Sequence, residues 1–203
     1  MTVRIPNIAI VILAAGASSR MGSPKQLLNW GNTSLIQHTL NIAKTTKAVK
    51  TFVVLGADSE KIKEEIKEAK VSIILNPEWE LGLGKSIARA ASVIFNSKEN
   101  FDGILVALAD QPFVTPSFLN QMIDEFSLNK NGIIATFYNT KKNGVPVLFA
   151  KSYLSELNKL DDDFGAKLIL EKHESKVKSL VPNFENLDID TKEDYKSLDN
   201  KEH

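Results

Sequence analysis

The chain contains no cysteine. That absence excludes disulfides, thiolate metal sites and thiol nucleophiles, and it fits a reducing cytoplasm. No apolar run approaches the ~20 residues that a membrane-spanning helix needs. An excess of either charge is missing as well. Lys plus Arg number 25 and Asp plus Glu number 25, for a formal net charge of zero. Such a balance speaks against a nucleic-acid coat and against a polybasic membrane contact. Histidine is scarce: His38, His173 and His203 are scattered without metal-site spacing, and surface or helix-face roles are expected for them. No Ser-His-Asp set can be assembled. Arg4 precedes an apolar stretch, but no cleavage pattern follows, so the stretch reads as a strand and not as a secretory signal. No internal repeat, low-complexity tract or linker divides the 203 residues. One α/β domain with a full core is therefore expected, with a polar tail over residues 200–203 that frays.

What is present alternates. Strands are read at residues 8–13, 52–55, 71–75 and 104–108, each a short β-branched or apolar run ended by turn residues. Between them lie helical patterns. Ser34 is placed to cap a helix carrying Leu35, Ile36, Leu40 and Ala43. Asp58 or Ser59 caps another with Ile62, Ile66 and Ala69 on its inner face, and residues 84–96 form a third. Pro116 opens a helix with Phe118, Leu119, Met122, Ile123 and Phe126 inside. The second half is less regular. Strands at 133–138 and 145–149 flank the turn Lys141-Lys142-Asn143-Gly144, and helices are read at 153–160 and 166–173. Short strands follow at 177–181 and 187–189, then a last helix at 192–198. Strand–helix alternation predicts a mostly parallel sheet covered on both faces, with a mixed edge where a substrate lobe is built.

The organising stretch runs from residue 10 to residue 25. Val11, Ile12 and Leu13 suit a strand buried on both faces. Ala14, Ala15, Gly16 and Ala17 have almost no side chain, so a large ligand can lie against the backbone. Ser18, Ser19, Arg20 and Lys25 then offer hydroxyls and two cations suited to phosphate oxygens. Neither familiar nucleotide loop is present. Gly84-Lys85-Ser86 supplies a G-K-S triplet, but Trp79 stands where a P-loop needs its first glycine. Gly82 and Gly84 are followed by Ile87 where the dinucleotide fingerprint needs its third.

Ligands of open α/β sheets bind beyond the carboxyl ends of the strands, and four candidate segments follow strands. They are the first loop, the stretch from Asn76 through Trp79 to Ser86, Asp110-Gln111-Pro112, and Asp188-Ile189-Asp190-Thr191. Asp110 ends an apolar strand, where a carboxylate either holds a hard cation shared with phosphates or caps the next turn. Asp188 and Asp190 are expected to face different ways, so that one reaches a metal and the other is solvated. Trp79 is either a core aromatic or a base-stacking platform. Lys85 is a solvent- or phosphate-facing charge, not a catalytic group.

The pattern L-x-x-G-x-S-x-R-M-G-x-x-K, carried by Leu13, Gly16, Ser18, Arg20, Met21, Gly22 and Lys25, resembles the signature loop of the nucleotidyltransferases. Its Ala-Ala-Gly form resembles the molybdenum cofactor cytidylyltransferases in particular. The resemblance extends over residues 10–198. It implies a Rossmann-like three-layer α/β sandwich of the nucleotide-diphospho-sugar transferase type. It implies a nucleoside triphosphate, with CTP favoured, over Leu13, Ala14, Ala15, Gly16, Ser18, Arg20 and Lys25. Gly82, Gly84 and Ser86 resemble the family's base-binding segment. Arg20, Lys25 and Asp110 would be catalytic, and Asp110 with Asp190 would hold Mg²⁺. Gly144 and Pro146 match the family's G-x-P segment; Asp163 and Gly165 match its G-D-x-G-A element, near the acceptor. The sequence departs from the pattern at Asp162, where glycine is expected, and at Lys192, where proline is frequent. The acceptor implied is molybdopterin carrying molybdenum, with a molybdenum hydroxylase or its maturation factor as a partner. A sugar or alcohol phosphate acceptor, or a non-catalytic nucleotide-binding role, are the alternatives.

Overall fold

The computed structural model describes residues 4–128, 132–138, 142–161, 163–185 and 187–202, the last four for their backbone only. Lys141, Asp162 and His203, named above, lie outside the described residues. A seven-stranded sheet forms the middle of the molecule. Its strands are β1 (Ile8–Ala14), β4 (Lys50–Leu55), β5 (Ser72–Leu75), β6 (Gly103–Leu108), β7 (Ile133–Phe137), β8 (Asn143–Ala150) and β9 (Val177–Leu180). Two short strands, β2 (Asn29–Trp30) and β3 (Thr33–Ser34), make a separate hairpin. The order is β5-β4-β1-β6-β8-β7-β9. β1 pairs in parallel with β4 and β6, β4 with β5, and β7 with β9; β8 runs antiparallel to both β6 and β7.

β1 lies at the centre because every one of its residues is apolar. All seven are buried, which requires cover on both faces of the sheet. That cover comes from α1 (Leu35–Lys44), α3 (Leu83–Phe95), α4 (Pro116–Leu128) and α6 (Lys167–Lys172), with α2 (Ser59–Glu65), α5 (Leu154–Leu157) and α7 (Lys192–Glu202) completing the chain. Ser34 caps α1 by accepting from the backbone N–H of Gln37 at 3.3 Å. Its inner face, Leu35, Ile36, Leu40 and Ala43, is buried.

Several elements differ from expectation. α2 ends at Glu65, short of Ala69, because the chain tightens into three-residue turns such as Ala69 N–H to Ile66 O at 2.9 Å. Ile66 stays buried without being helical. Asp58 has a left-handed backbone and makes no side-chain cap. The expected helix at 153–160 divides into a 3₁₀ turn (Lys151–Tyr153) and α5. The expected strand at 187–189 is irregular backbone. Its apolar character comes from Ile189, which is buried with Met21, Trp30, Leu35 and Leu198 in a small second core. α7 extends beyond the expected 192–198, as far as Glu202.

β8 carries an irregularity that bears on the site. Its register against β7 jumps between Ala135, opposite Val147, and Thr136, opposite Gly144. Val145 and Pro146 are thereby left out of the ladder, and the bond between them is cis. Proline has no N–H to give a ladder, so a bulge is where a strand tolerates it. The Pro146 carbonyl is satisfied by the buried Thr136 hydroxyl at 2.7 Å.

Candidate active site

The carboxyl ends of β1 and β6 open onto a cleft of about 640 Å³. Leu13, Ala14, Ala15, Gly16 and Ser18 form one wall with Arg20 and Lys25. Trp79, Gly82 and Ser86 form another, and Asp110, Asp163, Asp188 and Asp190 complete it. A more open depression of about 840 Å³ lies elsewhere, along α4. It holds an exposed ion pair between Lys47 and Asp124 and has no such convergence of backbone, cations and acids.

The first loop is held open by one side chain that its sequence pattern does not advertise. Gln26 is buried, and its Nε2 donates to the carbonyls of Ala14 and Gly16, both at 3.0 Å. The Ser18 hydroxyl accepts from the Lys25 backbone N–H at 3.0 Å. Ser18 itself adopts a positive φ of 54°, an uncommon conformation for a residue with a Cβ. At Gly16 the space beside the backbone is empty, since a Cβ there would meet nothing within 4 Å.

Across the cleft, Lys25 meets the acids. Its Nζ lies 2.5 Å from Oδ2 of Asp110 and 3.0 Å from Oδ1 of Asp190. Arg20 reaches the other oxygen of Asp190 at 3.1 Å. Burial pulls the Lys25 ammonium down, but the charges and hydrogen bonds of Asp110 and Asp190 outweigh it and hold its pKa above the ordinary value. Burial likewise pushes Asp190 up, and Lys25 and Arg20 reverse this, leaving it below the usual carboxylate range. Asp188 receives no such relief. Burial first, and then the charge of Asp110, raise it, against a hydrogen bond from Gln111.

Two devices set these acids in place. Asp110 lies two residues past the end of β6, and its carbonyl accepts from Ile189 N–H at 3.0 Å, which stitches the late segment to the strand end. Asp190 precedes a reciprocal cap of α7. The Asp194 carboxylate accepts from Thr191 N–H at 2.8 Å, and the Thr191 hydroxyl accepts from Asp194 N–H at 3.1 Å, the two-way arrangement of a capping box. Asp188 and Asp190 both face the cleft. They do not diverge as the sequence led one to expect. Residues two apart on extended backbone share a face, and the irregular segment keeps them together.

The remaining expected residues divide between the cleft and its surroundings. Ser86 lines it, with its hydroxyl accepting from Asn76 Nδ2 at 3.1 Å. Gly82 has φ +102°, and a Cβ there would lie 2.6 Å from Oδ1 of Asp163. Gly84 is buried in the first turn of α3, outside the cleft lining. Gly165 packs on Leu83, where a Cβ would come within 2.9 Å. Gly144 and Pro146 lie on β8, outside the lining, and the Tyr138 ring covers Gly144. Lys85 is half-buried, 3.9 Å from Glu78. Trp79 is half-buried, packed on the core and open to the cleft, with Gly56 behind it. His38 bonds the Pro112 carbonyl at 2.9 Å, and His173 pairs with Glu156 at 2.8 Å; neither lines the cleft. Gln26 carries no role in the sequence pattern, and Gln111 enters it only as the residue between Asp110 and Pro112. Each is an amide directly after a charged motif residue, and that position was the one available signal.

Residues 10–177 match the MobA-like NTP transferase domain. The chain belongs to that family. It is a nucleotidyltransferase-type domain, and its relatives agree in fold. The crystal structure of Rv0371c from Mycobacterium tuberculosis H37Rv superposes with a TM-score of 0.81 at 26% identity, covering 97% of this chain and 100% of that one. A second structure of Rv0371c, in complex with manganese, gives a TM-score of 0.77 at 26% identity, covering 95% and 97%. The bifunctional protein GlmU of Buchnera aphidicola subsp. Schizaphis graminum is 29% identical over 171 residues, 81% of this chain and 35% of that protein. The chain thus spans about a third of the length of such curated relatives. No helix among the described residues of this MobA-like domain is long and apolar enough to cross a membrane.

Proposed function

We propose that this MobA-like domain transfers a nucleotidyl group from a nucleoside triphosphate, with CTP favoured, to a phosphorylated acceptor and releases pyrophosphate. The observation that carries the reading is the bridge from Lys25 to both Asp110 and Asp190, in a cleft also lined by the nearly bare backbone of residues 14–17. Cations at Arg20 and Lys25 neutralise phosphate oxygens lying over residues 14–18. An acceptor phosphate oxygen forms a bond to the α-phosphorus, and the bond from that phosphorus to the bridging oxygen of pyrophosphate breaks. A phosphate monoester is already anionic near neutral pH, so no general base is needed. The protein contributes positioning and charge neutralisation.

A divalent cation such as Mg²⁺ fits the acids. Oδ1 of Asp110 is buried without a hydrogen-bond partner, as suits an oxygen reserved for a cation. Among the described residues no group of three or more His, Asp or Glu side chains forms a ready cage. An ion at this cleft would be held by one or two carboxylates and completed by substrate phosphates. Asp110 and Asp190 would hold it, and the ion would withdraw charge from the triphosphate when bound. A manganese complex exists for the related Rv0371c.

For the acceptor we favour molybdopterin carrying molybdenum. The support is the Ala14-Ala15-Gly16 form of the loop and the late D-I-D-T segment. A cytosine dinucleotide form of the cofactor would be the product, and a molybdenum hydroxylase or its maturation factor the partner. Gly144, Pro146, Asp163 and Gly165 are assigned to the acceptor side. Sugar or alcohol phosphates are the alternative within the same chemistry. The test is a screen of triphosphates against phosphorylated acceptors with Mg²⁺ or Mn²⁺, read as pyrophosphate release. Release with CTP and molybdopterin is expected. Release only with a sugar phosphate would replace the acceptor, and release with no pair would leave a nucleotide-binding protein.

A further inference from the structure

Gln111 follows Asp110 just past the end of β6 and is only 2% exposed. Its Nε2 donates to Oδ1 of Asp188 at 2.8 Å and to the Tyr138 hydroxyl at 3.2 Å. The Tyr138 hydroxyl in turn donates to the carbonyl of Val145. The direction of this chain follows from its members. An ionised carboxylate only accepts, and the tyrosine proton is already given to a carbonyl, so both partners require N–H. The amide therefore cannot be turned over. Its Oε1 is left buried with no hydrogen-bond partner. An orphan acceptor is costly, and Leu or Met would fill similar space without one. Packing alone gives no reason for an amide here.

The two ends of the chain give one. At one end, Asp188 faces the cleft beside Asp110 and Asp190, and Gln111 is its hydrogen-bond partner among the described residues. At the other end, the Tyr138 ring lies on Gly144, and its hydroxyl holds Val145 next to Pro146. We propose that Gln111 is a positioning residue: one buried amide fixes the Asp188 carboxylate in the nucleotide cleft and ties it, through Tyr138, to the Val145–Pro146 bulge of β8. The proposal rests on the nucleotidyl-transfer reading of the cleft. Without the amide, repulsion from Asp110 and Asp190 turns Asp188 away. With it, an acceptor seated against β8 and the acids at the nucleotide share one rigid connection. Gln111 touches neither substrate and acts through Asp188.

The test is a double-mutant cycle over Gln111→Leu and Asp188→Asn, with Tyr138→Phe as a second route into the same chain. Thermal unfolding identifies the folded variants. Gln111→Leu is expected to keep its melting temperature and to lower kcat by about 10-fold or more, with KM for the triphosphate little changed. In the Asp188→Asn background the same substitution should change kcat by less than about 2-fold, because coupled residues are not additive. Tyr138→Phe should show a smaller loss that also disappears with Asp188→Asn. An equal loss in both backgrounds, or no loss in either, overturns the proposal. Should the unaltered protein release no pyrophosphate with any substrate pair, the transfer reading fails by itself. The cycle is then read as Mn²⁺ affinity by electron paramagnetic resonance in the presence of CTP. Weaker Mn²⁺ binding on Gln111→Leu only when Asp188 is present supports the coupling. Equal binding in all four proteins, or none in the unaltered one, overturns it.

Discussion

The ammonium of Lys25 lies 2.5 Å from the carboxylate of Asp110, and each side chain is only 16% exposed. Asp190 completes the bridge from the other side. One cation thus keeps two acids together at the mouth of the central strands. Removing it from the metal-free protein leaves those acids facing each other. Lys25→Met is expected to lower stability by about 3 kcal/mol, as for a broken buried pair. Chemical denaturation in EDTA measures this. Added Mn²⁺ should recover more stability in the variant than in the unaltered protein, since the ion replaces the missing charge. A variant as stable as the parent in EDTA contradicts the account of the bridge.

Asp110→Ala and Asp190→Ala remove the proposed cation ligands. Each should lower the rate of pyrophosphate release by about 100-fold or more, the scale seen when a transition-state charge loses its partner. Asp110 should matter more, because Asp190 is 40% exposed while Asp110 is 16% exposed. A loss of only a few-fold at Asp110 would remove it from the metal site.

Gln26→Ala tests the loop itself. The substitution frees the carbonyls of Ala14 and Gly16 from their common donor. At roughly 1 kcal/mol for each hydrogen bond, with a cavity added, a loss of about 2–4 kcal/mol is expected. A raised KM for the triphosphate should accompany it, because the backbone cradle loses its shape. Denaturation and steady-state kinetics on one preparation check both.

Glu156 supplies a pH dependence away from the cleft. A hydrogen bond from Lys172 lowers its pKa below the ordinary 4.5, against burial and with help from His173. A depressed carboxyl adds stability that is fully present above the unfolded value and lost as pH falls through the folded one. Glu156→Gln should therefore cost about 0.5–1 kcal/mol at pH 7, and the difference should vanish under acid. Melting temperatures of the two proteins across that range, converging below pH 4.5, are the expected result.

The legible parts of this chain are those where local chemistry and burial agree. β1 reads as a buried strand because nothing polar interrupts residues 8–14. Ser34 reads as a cap because a hydroxyl precedes an apolar face at helical spacing. The loop from Leu13 to Lys25 announces itself by its tiny residues and cations. Other features depend on the finished fold. Residues 187–189 look like a strand, yet Ile189 is apolar because it plugs the small core of Met21 and Trp30. The burial of Gln26 and Gln111 is set by the finished fold, since no local pattern distinguishes an amide facing water from one facing carbonyls. Asp163 belongs to a segment distant in sequence, and only the tertiary fold brings it against Gly82.

The most direct measurement follows two labels through one reaction. The protein is incubated with Mg²⁺, a phosphorylated acceptor, and CTP labelled at the α- or the γ-phosphate. Nucleotidyl transfer in this cleft places the α label on the acceptor and the γ label in pyrophosphate, and both signals fall together with Asp110→Ala. Recovery of the γ label as inorganic phosphate or on the acceptor, with the α label left in CDP, contradicts it.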